Sequence, residues 1–125
     1  MSKTTTTTPQ PQDQAKTLHE STHVTTACLS GYTAQIVDVE CAMTNSLPGI
    51  SIVGLGSKPI DEAKERIRAA CMAHSLTIPP KRIILNLAPA NLPKTGSGFD
   101  LPMAMAILST SGQINKELLL SLIHI

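Results

Sequence analysis

Residues 82–107 constrain the fold of this chain more than any other stretch. The segment starts with a short apolar run, RIILNL, whose β-branched residues predict a buried strand. A loop rich in proline and glycine follows, APANLPKTGSG, and then an almost wholly apolar segment, LPMAMAIL, that is long enough for a buried helix. A strand, a glycine loop and a buried helix in this order often present backbone N–H groups to a ligand. The loop is therefore the first place to look for chemistry.

The chain before this segment alternates strand patterns with turn patterns. Strands are predicted over residues 22–29, 32–43 and 50–55, and they are separated by Ser30-Gly31 and by the turn sequence TNSLPG. Within the longest of these strands, one phase of the alternation is mostly apolar and is predicted to face the core. Its members are Gln35, Val37, Val39 and Cys41.

A first helix is predicted after Ser57, a candidate N-cap, with Pro59 in its first turn. Its Glu62 and Arg66 are spaced as an i,i+4 ion pair on the exposed side. The predicted core face repeats every three or four residues and comprises Ile60, Ala63, Ile67, Ala70, Cys71 and His74.

A second helix is predicted over residues 101–108, with Asp100 as its N-cap and Ser111-Gly112 at its end. Asn115 is the candidate cap of a short last helix over residues 116–122. The order of elements is then β-β-β-α-β-α. This order indicates an α+β fold, a mixed β-sheet with helices packed on one of its faces.

Composition excludes several classes of function. The net charge is +1, and one Phe, one Tyr and no Trp leave no stacking platform for single-stranded nucleic acid. The three cysteines are too far apart for a Cys-x-x-Cys site and are expected to be small buried residues in a reducing compartment. Without a signal sequence or an apolar run of about 18 residues, the chain is predicted to be cytoplasmic and to make no membrane contact.

The chain divides into a tail and one domain. Residues 1–20 include TTTTTPQPQDQ, a polar, low-complexity sequence that predicts a disordered tail. Residues 21–125 form the predicted domain, and the sequence LIHI at its end does not provide a domain-closing element. We therefore expect this domain to be truncated at its C-terminal end.

The glycine loop has features of a phosphate-binding loop and of a loop that carries a nucleophilic serine. A phosphate-binding loop places its lysine after the last glycine, whereas Lys94 precedes Gly96 and Gly98. The carboxylate of Asp100 would also repel a phosphate. A nucleophilic serine at position 97 would need a base, and the amine of Lys94 could serve as that base only if burial lowered its pKa. We therefore predict no catalytic, cofactor-binding or metal-binding residue, and assign the glycines to backbone geometry. The candidate contact residues of the loop are Lys94, Thr95, Gly96, Ser97 and Gly98.

Three blocks in order, NSLPGISIVGL at 45–55, EAKERIRAA at 62–70 and the long block at 79–108 that contains the loop, resemble the N-terminal domain of the ComM family. These are Mg-chelatase-like AAA+ ATPases of bacteria, often called competence proteins. The resemblance covers residues 24–114. It implies a Lon-protease-like two-layer fold with a left-handed crossover, placed ahead of an ATPase module that forms a hexamer.

The resemblance also implies what the full-length protein does. Family members bind ATP and Mg, assemble into a homo-oligomeric ring and act on DNA as helicases that promote branch migration during natural transformation. No Walker motif occurs in this chain, so no ATP-binding residue is assigned to it. The resemblance therefore implies a non-catalytic accessory domain, with no cofactor in this segment and with DNA as a partner of the full-length protein.

Two alternatives stay open. The serine loop of the Lon protease, laid without gaps on residues 93–100, places its nucleophile on Gly98; a shift of register would place it on Ser97 and imply a Lon-like serine peptidase. A magnesium-chelatase motor component is the other alternative. A basic edge formed by Lys81, Arg82 and Lys94 would give the domain itself only weak, salt-sensitive contact with DNA.

Overall fold

The structure is a computed structural model that describes residues 20–54, 56–94, 98–115 and 117, with the side chain of Glu20 excepted. The predicted order of elements, β-β-β-α-β-α, is confirmed. The strands and helices are β1 (Glu20–Ser30), β2 (Thr33–Thr44), β3 (Gly49–Val53), α1 (Lys58–Ala73), β4 (Arg82–Ala88) and α2 (Asp100–Thr110).

The four strands form one mixed sheet in the order β1-β2-β4-β3. The pairs β1–β2 and β2–β4 are antiparallel, whereas β3 and β4 run parallel. Parallel neighbours cannot be joined by a hairpin, and α1 supplies the crossover between them. The left-handedness that the family resemblance implies for this crossover stays a prediction.

One face of the sheet carries the core, and both helices lie on that face. Along β2, Val37, Val39 and Cys41 are fully buried, so the predicted core phase is confirmed. Their cross-strand partners on β4 are Leu87 for Val39 and Leu85 for Cys41. The opposite phase is exposed or half-buried, which gives a two-layer α+β fold with one covered and one open sheet face.

The buried stripe of α1 is narrower than predicted. Its buried residues are Ile60, Ala63, Ile67 and Cys71. Ala70 and His74 were also assigned to the core face, and this was wrong because both are exposed. His74 is the C-cap residue, where the helix has already ended, and Ala70 lies at the margin of the stripe that rests on the sheet.

The predicted helix boundaries hold better than the predicted caps. Ser57 is the N-cap of α1 in an extended conformation, but its side chain makes no capping hydrogen bond. Asp100 is not the N-cap of α2: Phe99 occupies that position and Asp100 is the first helical residue. Its carboxylate is instead held by an arginine of α1.

Near the C-terminus, α2 ends at Thr110, and the Oδ1 atom of Asn115 accepts a hydrogen bond from the Glu117 N–H at 3.0 Å, as a cap would. Of the predicted last helix, 116–122, only Glu117 is described. Of the predicted tail, 1–20, only Glu20 is described, and its assignment to the tail was wrong because it opens β1. Among the described helices, none is long and apolar enough to cross a membrane.

Candidate functional site

The loop predicted from the sequence lies at the carboxyl ends of the two parallel strands. Because β3 and β4 run parallel, the chain leaves both at the same edge of the sheet and then enters α1 and α2. Ligands of open α/β sheets commonly bind at such an edge. A parallel bridge between Gly56 and Lys94 joins the two exit segments, and we call this region the loop end.

Lys94 is the central residue of the loop end. Its side chain is buried, with a relative exposure of 1%, and its Nζ donates a hydrogen bond to the carbonyl oxygen of Pro89. Its own carbonyl oxygen accepts the N–H of Ser57 at 3.1 Å, which ties the loop to the start of α1. Burial lowers the pKa of Lys94, since removal from water disfavours the charged amine.

The remaining candidate loop residues are less informative. Thr95, Gly96 and Ser97 lie outside the described residues, so their roles stay predictions. Gly98 is exposed, and a side chain there would meet no other atom. The basic edge suggested by the sequence is only partly formed, because the amine of Lys94 is buried rather than presented at the surface.

An ion pair joins the middle of α1 to the start of α2 near the loop end. Nε and one terminal nitrogen of Arg66 donate to the two carboxylate oxygens of Asp100 at 2.5 and 3.0 Å. The hydrogen bond to Asp100 raises the pKa of Arg66. The predicted pairing of Arg66 with Glu62 is therefore wrong. Glu62 instead lies 4.0 Å from Lys58, because the fork of Arg66 matches a carboxylate brought to it by tertiary packing.

Gly54 shows a backbone role at the loop end that sequence reasoning missed. Its φ is +112°, and a β-carbon there would lie 2.2 Å from the carbonyl oxygen of Leu87. No L-residue fits, so the chain can leave β3 beside β4 only with glycine at this position. The sequence signal was present in VGLG, a glycine directly after a strand pattern.

A cleft of about 330 Å³ opens beside Gly54. Among the described residues that line it, Asp61 provides the only charged side chain, and its carboxylate contacts Lys64 at 2.8 Å. A phosphate group is disfavoured next to this carboxylate. Within the described residues, no three His, Cys, Asp or Glu side chains are grouped to hold a metal ion.

The open face of the sheet brings together polar residues that the sequence had left apart. Nε2 of His23 lies 3.5 Å from Asp38, and the Thr25 hydroxyl donates to the same carboxylate at 2.9 Å. Asn86 donates to Glu40 at 3.4 Å. The alternation of β1 and β2, together with the tight turn at Ser30-Gly31, would have predicted the first of these groups.

Comparisons with known proteins place the chain in a family. A family model described as subunit ChlI of Mg-chelatase matches residues 39–123, about two thirds of the chain. The competence protein ComM of Haemophilus influenzae is 46% identical over 87 residues, which are 70% of this chain and 17% of that protein. YifB, an uncharacterized protein of Salmonella typhimurium, is 41% identical over 94 residues, 75% of this chain and 19% of that protein.

A third relative, YifB of Escherichia coli, is 40% identical over 94 residues, with the same coverage of both chains. The chain thus spans less than a fifth of the length of these relatives, whereas the aligned region covers most of the chain. The ordered sequence blocks, the two-layer fold and the matched family model agree, so the chain belongs to the Mg-chelatase subunit ChlI family and is a ComM-like N-terminal region within it.

Proposed function

We propose that this chain is the non-catalytic N-terminal accessory domain of a ComM-like AAA+ ATPase that acts as a hexameric, cytoplasmic DNA helicase in branch migration during natural transformation. The observation that carries the proposal is the 46% identity to the competence protein ComM over 70% of the chain. ATP and Mg would be bound by the rest of the full-length protein. The two-layer fold would be the Lon-protease-like one, with its left-handed crossover.

The geometry of the loop end supports an accessory role. The buried amine of Lys94 donates to a backbone carbonyl. The backbone carbonyl of Lys94 accepts the N–H of Ser57 and so holds the start of α1. Arg66 in the middle of α1 and Asp100 at the start of α2 neutralise each other. Both arrangements use charged groups to fix the chain, which suits a domain that contacts neighbouring subunits or positions DNA at the ring.

Deletion of residues 1–117 from the full-length protein tests this proposal. We expect ATP hydrolysis to persist, because the Walker motifs lie elsewhere, while migration of a synthetic four-way DNA junction falls at least about tenfold, a loss of roughly 1.4 kcal/mol in activation free energy. Gly31→Ala in the full-length protein is the control, since no atom lies near that glycine. Junction migration that is unaffected by the deletion would exclude an accessory role.

A serine peptidase is the second candidate, and one observation favours it. Burial lowers the pKa of Lys94, which lies three residues before Ser97 in the chain, and a lysine with a lowered pKa is a suitable base. The full-length protein, its Ser97→Ala variant and its Lys94→Met variant would be assayed on casein and on peptides. We expect no hydrolysis that depends on either residue; cleavage lost in both variants would replace the accessory role with a Ser–Lys peptidase.

A magnesium-chelatase component is the third candidate, favoured by the description of the matched family model. Insertion of Mg²⁺ into protoporphyrin by the full-length protein would be followed by fluorescence, with ATP present and then absent. We expect no insertion. ATP-dependent insertion would move the protein from DNA processing to tetrapyrrole chemistry.

A further inference from the structure

A second cleft lies at the opposite ends of the same parallel strands. It has a volume of about 180 Å³ and opens between α1 and the segments that lead into β3 and β4. We call this region the basic end. Its lining consists of Pro48, Gly49, Ile50, Arg68, Ile78, Pro79, Pro80, Lys81 and Ile83.

The charge of the basic end is positive and is not balanced locally. Arg68 and Lys81 are both half-buried and line the cleft, whereas no acidic side chain of the part of the chain that the structure describes does so. The ion pairs found among the described residues include neither of them. Two half-buried cations without a carboxylate repel each other, and an anion between them would relieve that repulsion.

A third cation, Arg82, is close to them in the chain but lies on the open face of the sheet, because it alternates with Ile83, which faces the core and lines the cleft. Arg82 opens β4 directly opposite Gly49, and its guanidinium passes so close that a β-carbon on Gly49 would lie 3.2 Å from it. One terminal nitrogen of Arg82 donates to the Ser51 hydroxyl at 2.7 Å, which fixes the position of the group. This contact holds the guanidinium on the open face, so Arg82 is not a ligand of the cleft.

The frame around these cations is rigid before any ligand arrives. Pro48, Pro79 and Pro80 have fixed φ angles and contribute no N–H groups. The Gly49 N–H donates to the Lys81 carbonyl at 3.3 Å, and the Lys81 N–H donates to Pro79 at 2.8 Å. The N–H groups of Gly49 and Lys81 are thus already used, and the side-chain cations are the charged groups left to bind. Such preorganisation lowers the entropy cost of binding.

We propose that the cleft at the basic end binds a phosphate group, with Arg68 and Lys81 as its direct ligands. The cleft volume is several times the volume that one water molecule occupies in the liquid, about 30 Å³, so a tetrahedral oxyanion fits. Arginine and lysine side chains are the usual partners of phosphate oxygens. The phosphate could belong to a nucleic-acid backbone or to a free phosphate compound. The first source would deepen the proposed function, on which it rests.

The test uses the 125-residue chain without ATP, so its outcome is separable from the helicase assay. Oligothymidylate binding would be measured by fluorescence anisotropy over a range of salt, and inorganic phosphate and pyrophosphate would be titrated by NMR. We expect shifts centred on the amides of Gly49, Ile50 and Lys81. Arg68→Gln and Lys81→Gln should each weaken binding at least about fivefold, and should lower the slope of log affinity against log salt by about one.

Lys58→Gln is the matched control, because it removes one positive charge from a fully solvated position on the same helix. Thermal melting of each variant verifies that it is folded. Localised shifts with oligothymidylate and the salt slope would identify a backbone phosphate, and shifts with inorganic phosphate alone would identify a free one. Absence of binding, shifts elsewhere, or equal losses in Lys58→Gln and Arg68→Gln would overturn the site.

Discussion

The two ends of the β3–β4 pair are built from similar residues and treat charge in opposite ways. At the loop end, Lys94 is buried against a backbone carbonyl, and Arg66 is paired with Asp100. At the basic end, Arg68 and Lys81 line a cleft and form no ion pair with the described residues. The loop end satisfies its charges within the chain, and the basic end leaves its charges available.

This difference assigns structural and binding roles to opposite edges of one sheet. The sequence directs attention to the loop end, because prolines and glycines surround a lysine there. A charged group that is already bonded within the chain has less to offer a ligand than one that is held in place and unpaired. Lys94, the conspicuous residue of the loop, therefore stabilises the fold, and the less conspicuous segment around Pro79-Pro80 forms the candidate binding surface.

A glycine-to-alanine substitution at each end of β3 should separate these roles. The largest loss of stability is expected at the loop end. Gly54→Ala would place a β-carbon 2.2 Å from the Leu87 carbonyl oxygen at a φ of +112°, so β3 must move away from β4. We expect the free energy of unfolding to fall by at least about 3 kcal/mol, as measured by urea denaturation.

Gly31→Ala is the control for Gly54→Ala. Its φ is +64°, but no atom lies within 4 Å of the added carbon, so only the backbone preference contributes, about 1 kcal/mol. Equal losses in the two variants would mean that the crowding at Gly54 is relieved at little cost. The loop end would then be less tightly fastened than its geometry indicates.

The fold was predictable from the sequence because its signals are local. Alternation along β2 placed Val37 and Val39 in the core, and the proline-containing first turns located both helices. The partners of charged residues were not predictable in this way. Glu62 is four residues from Arg66, but Asp100, thirty-four residues away, binds it, and only the packing of α2 beside α1 creates that contact.

The burial of Lys94 predicts a dependence on pH. Its pKa is lowered in the folded chain, so between that pKa and the ordinary value of 10.5 the unfolded chain binds more protons and stability rises with pH. Lys94→Met removes this cost, and we expect it to stabilise the chain by about 1 kcal/mol at neutral pH. The advantage should shrink as the pH approaches 10.5.

Urea denaturation of both chains over a series of pH values measures this difference. Burial raises the pKa of Cys41 and Cys71, which lowers stability above the ordinary thiol value of 9.0, but it does so in both chains and cancels in the comparison. A Lys94→Met variant that is several kcal/mol less stable would show that the bond to the Pro89 carbonyl is indispensable.

The ion pair between Arg66 and Asp100 should have a smaller effect, because both side chains are partly exposed, 41% and 28%. A double-mutant cycle with Arg66→Gln and Asp100→Asn isolates its coupling energy. We expect a favourable coupling that decreases as salt is added, since solvent ions screen exposed charges. The Lys58–Glu62 pair, at 4.0 Å and more exposed, should show almost none, and equal couplings would contradict the bidentate geometry.

The candidate site was only half predictable for a related reason. Lys81 and Arg82 were recognised as a basic edge, but Lys94 was grouped with them because the sequence does not state which way a side chain turns. Arg68 was hidden in a run of mixed charges that usually marks a solvated helix face. Its place in the cleft depends on how α1 rests on the sheet, which is a property of the packed fold.

The smallest effect on stability is expected at the basic end. Gly49→Ala would bring a β-carbon to 3.2 Å from a terminal nitrogen of Arg82, and a guanidinium can move by a few tenths of an ångström where a carbonyl of β4 cannot. The smaller entropy of the unfolded chain offsets this shift, so the free energy of unfolding should change by less than about 0.5 kcal/mol. Binding of phosphate should be unchanged, because Arg82, the group that has to move, lies beside Ser51 on the open face of the sheet and not in the cleft.

Urea denaturation and phosphate titration of Gly49→Ala therefore have to be compared with the same measurements on Gly54→Ala. A loss of stability at Gly49 as large as that at Gly54 would mean that Arg82 is as firmly fixed as the backbone of β4. Both ends would then have a structural role, and the contrast between them would disappear. Unchanged stability with unchanged phosphate binding is the result that a cleft formed by Arg68 and Lys81 predicts, and a loss of phosphate binding in the folded Gly49→Ala variant would place the binding cation on the open face instead.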